Sequence, residues 1–217
     1  KALPKCKIYS NPPLTKEESA KVIEAAIREA AKKPTGKLTK ADYEKVTRLS
    51  LLGNQLTSVK GLEKLTQLEE LYLDGNQLTD VEGLKKLTQL KVLGLGGNQL
   101  TDAPKGLENL TQLKTLSLYE NQLTDVKGLE NLTQLKVLDL AGNQLTDVTG
   151  LEKLTKLEYL RLHDNQLTDV TGLEKLTKLT SLNLDWNQLT DLKGLENLTQ
   201  LKELYLSTNY QLTDVKG

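Results

Sequence analysis

Residues 68–89 read LEELYLDGNQLTDVEGLKKLTQ, and nearly the same 22 letters recur through the rest of the chain in the frame LxxLxLxxNQLTDVxGLExLTx. The asparagine of that frame falls at Asn54, Asn76, Asn98, Asn121, Asn143, Asn165, Asn187 and Asn209, every 22 residues with one step of 23. Self-similarity at such a period marks a solenoid. In the quoted copy Leu68, Leu71, Leu73, Leu78, Val81, Leu84 and Leu87 stand at frame positions 1, 4, 6, 11, 14, 17 and 20. One copy alone cannot bury that many apolar groups, whereas stacked copies place each leucine between its counterparts above and below. Whatever differs from copy to copy is therefore not dictated by the core.

Repeats open at Val46, Leu68, Leu90, Leu113, Leu135, Leu157, Leu179 and Leu201. The third carries one extra residue in Asp102-Ala103-Pro104-Lys105-Gly106, and the eighth carries Tyr210 between Asn209 and Gln211. In each copy the LxLxx stretch alternates and predicts a short strand, so eight strands about 4.8 Å apart form a parallel sheet roughly 40 Å long. The return path GLExLTx is too short for a long helix and predicts a 3₁₀ turn or one helical turn. The expected fold is α/β: a right-handed, curved solenoid with the parallel sheet on its concave face and the short turns on its convex face.

Residues 1–45 lie outside the frame and read as an N-terminal helical cap, leaving 46–217 to the eight repeats, the last truncated. Thr15-Lys16-Glu17-Glu18 is a capping box, and Val22, Ile23, Ala26, Ile27 and Ala30 follow on one helical face until Pro34-Thr35-Gly36. Thr39-Lys40-Ala41-Asp42 opens a second, shorter helical turn, after which Tyr43 and Val46 lead into the first strand. A solenoid needs such a lid over its end layer. At the other end, stopping at Gly217 leaves Leu206, Leu212 and Val215 thinly covered, which points to further chain or to self-association there.

The chain has 217 residues, with 29 basic against 29 acidic and 37% hydrophobic, which fits one elongated domain. A neutral total suggests no nucleic-acid partner. No apolar run approaches the roughly 20 residues of a membrane span. The start at Lys1 without methionine suggests a piece of a longer or processed product. Methionine and phenylalanine are both absent, as duplication of one unit or consensus design would leave them. Cys6 is the only cysteine, so no intrachain disulfide forms. Lys5 before it defeats a lipobox, and a partly buried thiol is the expected state.

The repeated asparagine has a structural role, because its amide can satisfy main-chain groups where the chain leaves the strand. The aspartates of TDV (Asp80, Asp102, Asp125, Asp147, Asp169, Asp191, Asp214) form a column of one carboxylate per turn. That falls short of the six to eight oxygens calcium takes, and local turn hydrogen bonds are expected instead.

The frame NQLTDVxGLExLTxL resembles the 22-residue class of leucine-rich repeats found in bacterial internalins, and the helical cap feeding into the first repeat is similar too. The resemblance covers residues of about 15 to 217. It implies a leucine-rich repeat protein that is bacterial and exported to the cell surface or the extracellular space. Regulatory subunits of protein phosphatases look alike at the GLExLTxL level, which keeps an intracellular scaffold open, and an engineered consensus scaffold is a third reading.

Frame positions 3, 5, 7 and 8 are expected to point out of the concave sheet. The only Trp, the only His and four of the seven Tyr fall among them. Interfaces favour Tyr, Trp and Arg. The expected protein-binding residues are Tyr72, Tyr119, Asp139, Tyr159, Arg161, His163, Asp185, Trp186 and Tyr205. The main anchor is expected at Tyr159, Arg161, His163, Trp186 and Tyr205, with Tyr210 at the rim. Gly94, Gly96 and Gly97 are expected to leave a shallow trough between Tyr72 and Tyr119. On this face Glu70, Asp74, Glu120, Asp139, Asp164, Asp185 and Glu203 oppose only Arg48 and Arg161, so a protein partner with a basic, partly apolar surface fits and phosphate backbones do not. His163 near Asp164 and Asp185 could suggest a catalytic or metal pair. With no nucleophile, too few ligands and no water-excluding pocket, a non-enzymatic module without cofactor or metal is expected, with Arg161 paired to Asp139.

Overall fold

The computed structural model describes residues 12–102 and 105–213. Eight three-residue strands form one parallel sheet in chain order: β1 (Arg48–Ser50), β2 (Glu70–Tyr72), β3 (Val92–Gly94), β4 (Thr115–Ser117), β5 (Val137–Asp139), β6 (Tyr159–Arg161), β7 (Ser181–Asn183) and β8 (Glu203–Tyr205). Register is one repeat per strand, so Leu71 sits beside Leu93 and Leu138 beside Leu160. Each strand from β1 to β7 buries its central leucine, and most show both flanking residues, the period-2 alternation of a half-buried sheet. The frame leucines form one continuous core from Ile23 to Leu198. The architecture is the expected right-handed solenoid.

The asparagines hold adjacent turns together. Asn143 Oδ1 accepts the Leu123 N–H at 3.0 Å, and its Nδ2 donates to the carbonyl oxygens of Leu118 at 3.0 Å and Leu140 at 2.9 Å. One side chain thus closes its own turn and the one before it. Asn76 through Asn209 repeat the arrangement, all at most 8% exposed. Asn54 departs from it: with no repeat before it, the residue is exposed, and among the described residues its side chain donates only to Leu52 O.

Other frame letters act locally. Asp125, Asp147, Asp169 and Asp191 each accept the N–H two residues on at 2.9–3.0 Å, the expected turn bond. Glu63, Glu108, Glu130, Glu152, Glu174 and Glu196 accept the N–H of the glycine two residues earlier. Each of those glycines sits at φ of 97 to 113°, in left-handed backbone that favours glycine. The second repeat has Lys85 where the six other full-length repeats have glutamate. There Gly83 has no carboxylate to hold its N–H and joins a longer 3₁₀ helix, Glu82–Lys86. The first and third returns are 3₁₀ as well, at Leu62–Lys64 and Leu107–Asn109. Later returns are successive turns, as in Leu129 N–H to Val126 O and Leu132 N–H to Leu129 O.

Helix α1 (Lys16–Ala30) has the expected capping box between Thr15 and Glu18. Its buried row is Ser19, Ile23, Ile27 and Ala31, each four residues from the last. Ala30, expected on that face, is exposed because the i, i+4 row passes through Ala31 instead. Ser19 joins the row because its Oγ accepts the Thr57 N–H at 3.1 Å, fastening the lid to the first repeat. Thr57 in turn donates its hydroxyl to Leu14 O at 2.7 Å. Helix α2 (Lys40–Glu44) is capped by Thr39 and Asp42. At the far end Leu204 is 40% exposed where its counterpart Leu182 is 0%, while Leu206 and Leu212 are half-buried. Cys6, the insertion at Ala103-Pro104, Asp214, Val215 and Gly217 lie outside the described residues.

Asn143→Ala is expected to cost about 1–3 kcal/mol in urea unfolding, because buried main-chain groups lose their partner. Asn54→Ala is expected to stay within about 0.5 kcal/mol, as exposed substitutions do. Equal costs at the two sites would contradict the ladder.

The Thr39 backbone N–H and then its hydroxyl hold the Asp42 carboxyl down to about 2. A depressed carboxylate adds stability above its ordinary range and loses it as pH falls, here between about 4 and about 2. Wild type should therefore lose its advantage over Asp42→Asn across that window, and parallel acid curves would contradict this.

Candidate functional site

Parallel register turns the exposed frame positions into rows along the sheet. Asp139 lies beside Arg161, and the two form the expected pair, Nη1 to Oδ2 at 3.0 Å. Tyr72 is half-buried in a second network: Arg48 pairs with Glu70 at 3.1 Å and lies 5.2 Å from the Tyr72 ring centre, while the Tyr72 hydroxyl donates to Glu70. Burial and then the Glu70 carboxylate push that phenol up.

Frame position 8 has a property the letters alone did not disclose. All eight copies are left-handed there, with φ between 48 and 70°. Gly53, Gly75, Gly97 and Gly142 suit that backbone, but Glu120, Asp164, Trp186 and Thr208 also occupy it. Left-handed backbone costs a side-chain-bearing residue roughly 1–2 kcal/mol. Gly97 thus suits the turn itself, whatever lies above it.

The expected trough at repeat three is not there. A Cβ on Gly96 would run into the Tyr119 ring, and one on Gly94 would run into the Asp74 carboxylate. The two glycines make room for neighbours that fold over them. Asp74 is fixed in place by the Gly96 N–H at 2.9 Å, and burial pushes its carboxyl up.

The open space lies two repeats further on. Ala141 and Gly142 floor a hollow of about 340 Å³ lined also by Tyr119, Glu120, Asp139, Arg161, His163 and Asp164. Tyr119 is half-buried, and burial, followed by Asp74, Glu120 and Asp139, pushes its phenol up. His163 Nδ1 is buried without a hydrogen-bond partner among the described residues. No His163–Asp185 bond forms; Asp185 Oδ1 accepts the Ser207 N–H at 2.6 Å. Among the described residues no three His, Cys, Asp or Glu are grouped to hold a metal ion, and no helix is long and apolar enough to cross a membrane.

Tyr159, Trp186 and Tyr205 are 48, 61 and 46% exposed, and Tyr210 is 88% exposed. They occupy neighbouring repeats but different rows: Tyr159 aligns with Ser181 and Glu203, and Tyr205 with Asn183 and Arg161. Trp186 stands apart in the left-handed row. The aromatics therefore bound a strip, whereas Tyr119, Asp139, Arg161 and His163 converge on the hollow. Glu120 and Asp164 were not singled out from the sequence as binding residues. Their signal was present, since both replace a glycine that the frame uses in half its copies. Leu52, 54% exposed near the cap, was missed as well.

The family model for Leucine Rich repeats (2 copies) matches residues 44–86, 88–131, 111–153, 133–175, 155–187 and 177–217. A crystal structure of an internalin C2 from Listeria monocytogenes is similar at 38% identity and a TM-score of 0.86, over 90% of this chain and 86% of that one. An internalin (inlF) from the same organism is similar at 36% identity and a TM-score of 0.85; the match covers 89% of this chain but only 57% of the relative. No curated protein sequence matches the chain.

Replacing Trp186 or Asp164 by glycine should raise the urea midpoint, by about 1 kcal/mol of stability each, because the left-handed strain is relieved. A lower midpoint for Trp186→Gly would show that its side chain contributes more to the fold than its backbone costs.

Proposed function

This chain belongs to the leucine-rich repeat family as an internalin-like member, and we propose that it is a non-enzymatic protein-recognition module using its concave face. The observation that carries this reading is Trp186. A bulky aromatic, 61% exposed, is kept at a backbone position where glycine would be less strained. Residues held in strained backbone cluster at binding and active sites. Tyr159 and Tyr205 add large, rigid contact area on nearby strands, the residue types that anchor interfaces.

Charge defines the partner. Arg48 is engaged by Glu70 and Arg161 by Asp139, so Asp74, Glu120, Asp164, Asp185 and Glu203 remain on the face without an ion-pair partner among the described residues. A protein surface that is basic and partly apolar complements it. The internalin resemblance extends the proposal to a bacterial protein at the cell surface or outside the cell, which a signal peptide in the upstream coding sequence would support.

The test is capture of bacterial-host or environmental proteins by immobilised wild type, a Tyr159→Ala/Trp186→Ala variant, and a convex control, Lys153→Ala/Lys175→Ala. A genuine partner should bind wild type and the convex control alike, and the loss of both aromatics should weaken it by about 2 kcal/mol or more. A partner unmoved by the aromatic changes but lost from the convex control would place the binding surface elsewhere.

A further inference from the structure

The hollow over the fifth repeat has walls suited to one side chain. The glycines of repeat three are covered by Asp74 and Tyr119, but above Ala141 and Gly142 about 340 Å³ stays open. On one flank lies the Tyr119 ring, half-buried and unable to move inward because it already rests on Gly96. On the two rims stand Glu120 and Asp164, one repeat before and one repeat after the floor, both in left-handed backbone. Glu120 leans across: its Cγ lies 3.3 Å from where a Gly142 Cβ would be. Arg161, the only cation in the lining, is already held by Asp139 at 3.0 Å. Neither Glu120 nor Asp164 has an ion-pair partner among the described residues.

We propose that this hollow receives one arginine side chain of the partner protein, its guanidinium laid on the Tyr119 ring and its N–H groups shared between the Glu120 and Asp164 carboxylates. The proposal rests on the reading of the concave face as a protein-recognition surface and names what its centre recognises. The lining carries three carboxylates against one guanidinium, with the two rim carboxylates unpaired among the described residues. A cation is therefore the favoured guest. The rim residues are two strands apart, about 10 Å between their backbones at sheet spacing. A compact ammonium group reaches one such carboxylate at a time, whereas a planar fork of five donors can engage both and stack on an aromatic face.

His163 is the only histidine of the chain and lines the hollow, so its ring resonances report occupancy without overlap. The full chain would be titrated with Nα-acetyl-arginine amide while the His163 signals are followed by NMR. Saturable shifts with a Kd of about 1–10 mM are expected for a single side chain. The citrulline analogue, the same shape without charge, should bind about tenfold or more weakly, and the lysine analogue about threefold or more weakly. Glu120→Gln with Asp164→Asn, which preserve size and fold, should cost about tenfold, as loss of charge-assisted bonds does. Absence of a saturable shift at His163 up to about 50 mM, well beyond the expected range, would overturn the proposal, as would equal binding of citrulline or equal affinity of the double variant. Equal binding of the lysine analogue would overturn the arginine assignment. The probe is a single residue, so failure here leaves the Tyr159 and Trp186 capture result standing, and failure of that capture leaves the titration standing.

Discussion

Strands β1 to β7 each end in a turn whose inward main-chain groups are shut away from water, and the asparagine of the next repeat satisfies them. Unpaired, each such group would cost about 1–3 kcal/mol. Asn143 reaches Leu118 O and Leu123 N–H in the repeat before and Leu140 O in its own, so the bond set of one turn is complete only when its neighbour is in place. Leucine packing has the same dependence, since each layer is covered by the layers on either side. Both interactions run between nearest neighbours, which makes stability a sum over repeats and their interfaces. The ends show what this means. Asn54 has no turn before it to close and is exposed, so the first layer is covered instead by α1, through Ile23, Ile27 and the Ser19–Thr57 bond.

A scaffold so heavily specified by leucine, asparagine and glycine leaves the face free to vary, within limits set by the same backbone. The left-handed turn after each strand accepts glycine without strain. Where repeats four, six, seven and eight carry Glu120, Asp164, Trp186 and Thr208 instead, the local conformation is less favourable and the continuous core absorbs the difference. Three of these four departures are the two rims of the hollow, Glu120 and Asp164, and the exposed indole of Trp186. Stability and recognition thus draw on different letters of the repeat, and the two meet at one position.

Much of this was legible in the letters. The 22-residue period implied the strands, the parallel register and the buried asparagine column, because each follows from repetition of one local pattern. The turn bonds of Asp125 and its counterparts were equally local. What escaped was side-chain geometry between repeats. Gly94 and Gly96 read as bare sheet, but Tyr119 and Asp74 reach across one strand spacing to cover them, so the open space lies instead above Ala141 and Gly142. The Arg161–Asp139 pair was foreseeable from register alone. The change from Glu to Lys85 likewise altered the return path of the second repeat, a consequence of one lost carboxylate that periodicity does not register.

Native-state hydrogen exchange at the amides of Leu123 and Leu145, which donate to Asn143 and Asn165, tests the asparagine account most directly. Both N–H groups lie in turns, where local opening normally gives fast exchange. If the asparagines bind successive turns into one cooperative unit, these amides will exchange as slowly as those of Leu118 and Leu140, whose N–H groups close the sheet ladder to Asp139 O and Arg161 O, and only with the opening of a whole repeat. Exchange at the rate of exposed turn amides, with the strand amides still protected, would mean that the turns open independently and that leucine packing alone holds the solenoid together.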